Sequence, residues 1–315
     1  MERSSVRRVL LAATTFLVWG CSGDSSTTPA PIPSVPVTPA AVASVSVDST
    51  NLRLYAGLNR QVTATTKDTN GNVLADRTVA WASSDTTVAT VSATGAIASL
   101  HFGAATITAS VEGKTATVAV SVKHDPIVFV HGFASSSAIW NTMINSLVAD
   151  GWTASDMTAW SYDTSLSNVT IAQQIKTKVD SVTLASGAPK VDLVSHSMGG
   201  LSARYYAGTL GGAAKVDGWV SLGGPNHGTT TANFCSLQSC LEMRPGSSFL
   251  TALNSGDETP GTSRYATWRT PCDQATTPIE SVSLSGAANN LTACIGHSDL
   301  YVDANVFAQV RDFIK

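Results

Sequence analysis

The chain has 315 residues and a formal charge of -3; Gly, Ala, Ser, Thr and Val are abundant, and charged side chains make up only 13%. No basic stripe is present, which excludes an electrostatic nucleic-acid binder and favours a folded, weakly acidic protein that works outside the cytoplasm. The length suits about two domains.

At the start, Arg3, Arg7 and Arg8 precede a short apolar run from Val9 to Trp19. The run is too short for a membrane span and has the form of an export signal. It ends at Trp19-Gly20-Cys21-Ser22-Gly23. Val18, Gly20 and Cys21 make this junction resemble a bacterial lipoprotein signal, although Trp19 is bulkier than the usual residue there. The resemblance implies removal of residues 1–20, lipidation of Cys21, and a membrane tether of acyl chains rather than a span. Ser22, in place of an aspartate, resembles the class sent to the outer membrane. The plainer reading is an ordinary signal peptide with an incidental cysteine. Against it, the other four cysteines all lie at or beyond Cys235. Residues 21–40 then hold Pro29, Pro31, Pro33, Pro36 and Pro39 among Ser and Thr, the composition of a semi-extended spacer.

Residues 41–122 change character. Alternating runs at Ala43–Val47, Gln61–Thr66, Thr106–Val111 and Thr115–Val122 predict half-buried strands, and Asn70-Gly71-Asn72 a hairpin turn. Several short strands in this length predict a small all-β sandwich. Val79-Ala80-Trp81-Ala82-Ser83-Ser84-Asp85, Val88-Ala89-Thr90-Val91, Gly95 and Gly103-Ala104-Ala105-Thr106-Ile107 resemble the bacterial Ig-like group 2 modules of surface proteins. The module reads as a stalk, with carbohydrate or surface binding as the alternative.

From residue 124 to 315 the pattern becomes strand, then helix. Pro126–Val130, Lys190–Val194, Lys215–Leu222 and Ser281–Leu284 predict strands. Ala138–Val148, Val169–Val182, Met198–Gly208 and Tyr301–Phe313 predict helices. Apolar strands alternating with amphipathic helices predict a compact α/β-hydrolase, with a mostly parallel sheet covered on both faces. Functional residues then belong on loops beyond the strand C-terminal ends.

Val191-Asp192-Leu193-Val194-Ser195-His196-Ser197-Met198-Gly199-Gly200 runs a strand into a serine framed by small residues and then into a helix. Ser195 and Gly199 take the flanking positions of a G-x-S-x-G elbow, which makes Ser197 the candidate nucleophile; a helix-capping serine is the plainer reading. Such a serine needs a base, and the base needs an orienting group. His297, in Ala293-Cys294-Ile295-Gly296-His297, follows the last predicted strand and is the candidate base. His101, His124, His131, His196 and His227 are less suitable by position; His131 is read as bracing its loop and His227 as structural or pocket-lining. Asp273 is the candidate acid, with Glu280 its rival, and Asp299 reads as a cap. Val128-Phe129-Val130-His131-Gly132-Phe133-Ala134 closes the first strand of this part, and the backbone amides of Phe133 and Met198 are candidate oxyanion donors. Losing one such donor costs about 3 kcal/mol in well-studied proteases.

His131-Gly132-Phe133, Ser195-His196-Ser197-Met198-Gly199-Gly200, Ser221-Leu222-Gly223-Gly224-Pro225, Trp268-Arg269-Thr270-Pro271-Cys272-Asp273 and Cys294-Ile295-Gly296-His297 resemble small bacterial triacylglycerol lipases. The nearest likenesses are the compact Bacillus-type enzymes and their cysteine-containing actinobacterial relatives. The resemblance implies a reduced α/β-hydrolase fold and ester hydrolysis through an acyl-enzyme. It implies Ser197 as nucleophile, Asp273 as acid, His297 as base, and Phe133 and Met198 as the oxyanion hole. Ser195 and a longer segment between the Ser221 strand and Asp273 depart from the family pattern.

Cys235, Cys240, Cys272 and Cys294 allow three pairings, of which 235–240 and 272–294 are favoured. Zinc is disfavoured because exported chains form disulfides and the C-x-x-C spacing is missing; no ordered acidic loop argues for calcium. The reaction needs no cofactor. The expected partners are an acyl ester or lipid substrate and, through the anchor, a membrane; a monomer is expected. Phe133, Ile139, Met198, Leu222 and Phe234 are candidates for an apolar pocket rim. A short-chain carboxylesterase or polyester hydrolase, an acyltransferase, and a catalytically silent surface adhesin are the competing readings.

Overall fold

A computed structural model describes residues 39–315. The predicted signal peptide, the lipidation site Cys21 and most of the proline-rich spacer lie outside the described residues.

The N-terminal region is all β. Its strands are β1 (Ser44–Val47), β2 (Asn51–Tyr55), β3 (Asn59–Gln61), β4 (Ala64–Lys67), β5 (Ala80–Ser83), β6 (Ala89–Val91), β7 (Ala96–Ser99), β8 (Gly103–Val111) and β9 (Lys114–Lys123). They form sheets of order β2-β9-β8-β5 and β3-β7-β6, with β1 paired to β4. Period-two alternation does the packing: Ile107 and Ala109 of β8 and Val118, Val120 and Val122 of β9 point inward with Val62 and Ile97, as an Ig-like sandwich requires. The run predicted as one strand from Gln61 to Thr66 is broken between β3 and β4, which pair with different partners. His124, which follows β9, is stacked between Phe102 and Trp152 with ring centroids 3.6 Å from each.

The remainder is a six-stranded sheet of order β11-β10-β12-β13-β14-β15 in which every pair is parallel. The strands are β10 (Ile127–Val130), β11 (Met157–Ala159), β12 (Val191–His196), β13 (Val216–Leu222), β14 (Arg264–Arg269) and β15 (Ala288–Leu291). The helices are α1 (Asn141–Ala149), α2 (Asn168–Ser186), α3 (Gly199–Gly208), α4 (Gln238–Met243), α5 (Ser248–Leu253) and α6 (Ala304–Phe313). Both faces are covered, as continuous apolar strands demand. Val128 and Val130 of β10 pack with Ile171 and Ile175 of α2 and Leu201 of α3. Ile127 and Phe129 pack the other way, with Met143 and Leu147 of α1 and Val306 and Val310 of α6.

Among the departures from the predicted elements, two concern the C-terminal half of this sheet. Ser281–Leu284 is not a strand: Ile279–Val282 is a short 3-10 turn, and the last strand is β15. Ser281 is drawn into the turn because its hydroxyl bonds the Gly228 carbonyl and its own carbonyl accepts the His227 N–H at 3.0 Å. The second is β14, which sequence reading missed: alternation is absent from Arg-Tyr-Ala-Thr-Trp-Arg because the strand is buried on both faces.

Candidate active site

Ser197 occupies the single residue between β12 and Met198, which caps α3. Its φ is 53°, in the left-handed region that a side chain other than glycine rarely adopts. Backbone crowding surrounds this turn. A Cβ on Gly132 would lie 2.8 Å from the Ser197 Cβ, and one on Gly199 would lie 2.8 Å from the Val130 carbonyl. Small residues are therefore needed where β10 and β12 end side by side. Ser195, the other framing residue, is fully buried and donates to the Val220 carbonyl at 2.7 Å; its role is to tie β12 to β13.

The Ser197 N–H donates to the Leu222 carbonyl at 2.8 Å. The next residue, Gly223, lies directly against the His297 ring: a Cβ there would sit 2.9 Å from its Cε1. The His297 carbonyl faces Nε2 of His196 at 3.2 Å, and the two imidazole centroids are 4.7 Å apart. Residues 297 and 197, a hundred positions apart in sequence, are thereby brought to the same sheet end.

His297 Nδ1 and Asp273 Oδ2 are 2.8 Å apart. An ionised carboxylate only accepts, so Nδ1 carries a proton, and in the neutral imidazole the lone pair is then on Nε2. That Nε2 is buried and has no hydrogen-bond partner among the described residues. The other Asp273 oxygen, Oδ1, accepts the amides of Ala275 at 2.9 Å and Thr276 at 2.8 Å. Burial alone would push this carboxyl up, but the hydrogen bond and charge of His297, with the two amides, hold it below the usual range. The rival carboxylates are placed elsewhere: Glu280 is exposed, and Asp299 accepts the Gly296 N–H at 2.9 Å to cap its own turn.

Two threonines that sequence reading passed over lock this corner. Thr270 donates to the Ile295 carbonyl at 2.7 Å and accepts the Ile295 amide at 3.2 Å, joining the Asp273 loop to the His297 loop. Thr276 donates to the Gly223 carbonyl at 2.8 Å. No local pattern marks either residue, since each hydroxyl reaches a distant carbonyl. Disulfides join Cys272 to Cys294, with Cα atoms 5.1 Å apart, and Cys235 to Cys240, with Cα atoms 5.7 Å apart.

The other histidines have distinct surroundings. His131 is buried and donates from Nδ1 to the Gly132 carbonyl at 2.9 Å, while Nε2 accepts the Tyr162 N–H at 3.2 Å; both nitrogens are engaged. His196 is buried and neutral, its pKa driven down to about 3, chiefly by burial. His227 pairs Nε2 with Glu258 at 2.7 Å. His124 is held in its aromatic stack, and burial lowers its pKa to about 4.

A cleft of about 240 Å³ opens beside Ser197, lined by Phe133, Pro225, Ala232, Met243 and the Cys235–Cys240 bridge, with Thr229, Thr231 and Gln274 as polar members. Of the residues expected at its rim, Phe133 lines it. Phe234, next to Cys235, is 94% exposed. Met198 and Leu222 are instead fully buried and Ile139 packs under the sheet, because strand and helix periodicity turns them to the core. The Met198 and Phe133 N–H groups have no hydrogen-bond partner among the described residues, whereas the amide of Ala134, at φ 52°, donates to Thr164 Oγ1 at 3.1 Å. Among the described residues no group of three or more His, Cys, Asp or Glu could hold a metal ion.

Residues 124–286 match the family described as Lipase (class 2), and residues 41–122 match the Bacterial Ig-like domain (group 2). Among solved structures, the chain is similar to Aspergillus fumigatus lipase B, at 17% identity and a TM-score of 0.53, over 60% of this chain and 52% of that one. It is also similar to the mature form of Bacillus licheniformis lipase BlEst2, at 18% identity and a TM-score of 0.52, over 61% of this chain and 92% of that one. The chain thus spans about half the length of the Aspergillus protein. At these identities the likeness is one of fold.

Proposed function

We propose that this chain, which belongs to the class 2 lipase family, hydrolyses acyl esters through Ser197, His297 and Asp273, with triacylglycerols as substrate class. Its subtype in this reading is the compact Bacillus-type and cysteine-containing actinobacterial group. The observation that carries the reading is the 2.8 Å His297–Asp273 pair, which leaves a buried, unpartnered Nε2 at the sheet end where Ser197 turns.

Nε2 of His297 takes the Ser197 hydroxyl proton as Oγ attacks the ester carbonyl carbon. The carbonyl π electrons move to oxygen, and the amides of Phe133 and Met198 stabilise that charge. Collapse of the tetrahedral adduct breaks the bond to the alcohol, which leaves with the proton from Nε2. Water then loses a proton to Nε2, attacks the acyl-enzyme and releases the fatty acid, returning the proton to Ser197. Asp273 keeps Nδ1 protonated and stabilises the imidazolium at each stage. Hydrolysis of an emulsified triglyceride, lost in Ser197→Ala with the fold intact, is the expected result; hydrolysis that survives this substitution refutes the assignment.

A second reading, hydrolysis of short-chain esters, is favoured by the cleft. Its volume of about 240 Å³ lies below the ~300–1,000 Å³ typical of sites that enclose a small molecule. Rates on p-nitrophenyl esters of increasing chain length separate the two. We place the activity outside the cytoplasm, on a lipid-tethered chain raised by residues 41–122, with the hydrolase domain spanning 124–315. The arginine-led apolar start, Cys21 and two disulfides support this, because disulfides persist in oxidising compartments. No helix among the described residues is long and apolar enough to cross a membrane.

A further inference from the structure

We infer that Tyr162 and Thr164 are positioning residues that hold the Phe133 amide where the oxyanion forms. The inference rests on the hydrolase reading above and names groups outside the triad. Both residues belong to the short segment between β11 and α2. Tyr162 meets His131 in three ways: its phenol donates to the His131 carbonyl, its backbone N–H donates to Nε2 at 3.2 Å, and its ring stacks on the imidazole with centroids 4.0 Å apart. Two residues later, Thr164 Oγ1 accepts the Ala134 N–H at 3.1 Å.

These contacts bracket Phe133. His131, two positions before it, is fastened by Tyr162, and Ala134, one position after it, is fastened by Thr164. Ala134 sits at φ 52°, a left-handed conformation that a non-glycine residue keeps only when its surroundings hold it. The Ala134 amide is engaged, while the Phe133 amide between the two fastenings is left without a partner and its side chain lines the Ser197 cleft. Thr164 is itself anchored, since its carbonyl accepts the Ser239 hydroxyl of α4 at 2.6 Å. The neighbouring Cys240 lines the cleft. One wall of the cleft and the oxyanion loop therefore share a single support. A donor that acts on charge appearing only in the transition state must be placed beforehand, so loosening this support lowers turnover more than ground-state binding.

The test uses a soluble p-nitrophenyl ester and the full chain carrying Tyr162→Phe, Thr164→Val or Thr164→Ser. Tyr162→Phe keeps the ring stack and removes the phenol donor. Thr164→Val keeps the shape and removes the acceptor, and Thr164→Ser restores it. We expect kcat to fall about tenfold or more in Tyr162→Phe and Thr164→Val, with KM within about twofold, and to recover to within about threefold in Thr164→Ser. Unchanged kcat in the first two variants overturns the positioning role, as does a loss that Thr164→Ser shares or one that only tracks the unfolded fraction in a thermal melt. Ser197→Ala is the control that keeps the two readings apart. With the wild type active and Ser197→Ala inert, a normal kcat in the variants refutes positioning alone; turnover that survives in Ser197→Ala refutes both.

Discussion

Asp273→Asn tests the electrostatic logic of the site most directly, because the hydrogen bonds around Asp273 dictate how asparagine must sit. Oδ1 accepts two backbone amides, from Ala275 and Thr276, at 2.9 and 2.8 Å. An asparagine keeps its oxygen there, since its NH₂ group has nothing to accept with. The NH₂ then faces His297 and donates to Nδ1, where the carboxylate had accepted. The imidazole must change tautomer: Nδ1 becomes the acceptor, and Nε2 carries the proton. A protonated Nε2 takes nothing from Ser197, and the imidazolium also loses its counter-charge. In the well-studied protease triad this exchange costs about 10⁴ in kcat, equivalent to about 5 kcal/mol at the transition state. We expect a loss of that order here, measured as kcat on a soluble chromogenic ester near neutral pH, with circular dichroism and melting temperature close to wild type because the amide contacts survive. A variant that stays folded and keeps more than about a tenth of wild-type kcat refutes the reasoning. It would mean that another carboxylate orients His297, or that orientation is unimportant.

Two further outcomes follow from the same structure. Replacing Cys272 and Cys294 together by serine opens a loop of sequence separation 22. It should lower unfolding stability by about 3 kcal/mol on the chain-entropy account, and it should lower kcat as well, because Thr270 is then left to hold the acid and histidine loops together; denaturant titration with parallel kinetics checks both, and a stability loss with normal kcat removes the disulfide from the function. His196 supplies a pH dependence: the unfolded chain binds a proton on this group below about 6.5 and the folded chain only near 3, so its contribution is complete above about 6.5 and is lost as pH falls, by about 5 kcal/mol over the whole interval. Asp125, pushed up to about 7 chiefly by burial, works with the opposite sign, stabilising the fold at low pH and losing that effect as pH rises towards 7. The difference between wild type and His196→Asn in thermal melts from pH 7 to 4 isolates the histidine, and a difference that does not change with pH refutes it.

The central strands could be read from sequence because burial on both faces leaves apolar runs, uninterrupted in Ile127–Val130 and broken only by Asp217, Gly218 and Ser221 in Val216–Leu222. Strand β14 was hidden by arginines at both ends, and β15, Ala-Asn-Asn-Leu, has no apolar pattern because it lies at the sheet edge, largely exposed. In the site, the elbow around Ser197 and the loop before His297 stand out because strand, turn and order confine where those residue types are useful. Tyr162, Thr164, Thr270 and Thr276 do not stand out. Their partners lie 20 to 50 positions away or more in the chain, and a lone threonine has the same local appearance whether or not its hydroxyl fastens a loop.

The sheet ends in two stunted margins. β11 contributes three residues on one side, and β15 contributes four on the other. On the β15 side, the asparagines turn back on their own sheet: Asn289 accepts the Thr267 hydroxyl at 2.8 Å, and Asn290 donates to the Thr267 carbonyl at 3.1 Å. A long bare margin is a template for recruiting foreign strands, and margins this short make poor templates. The α/β unit therefore presents little bare strand edge from which a shared sheet with another copy of itself could grow.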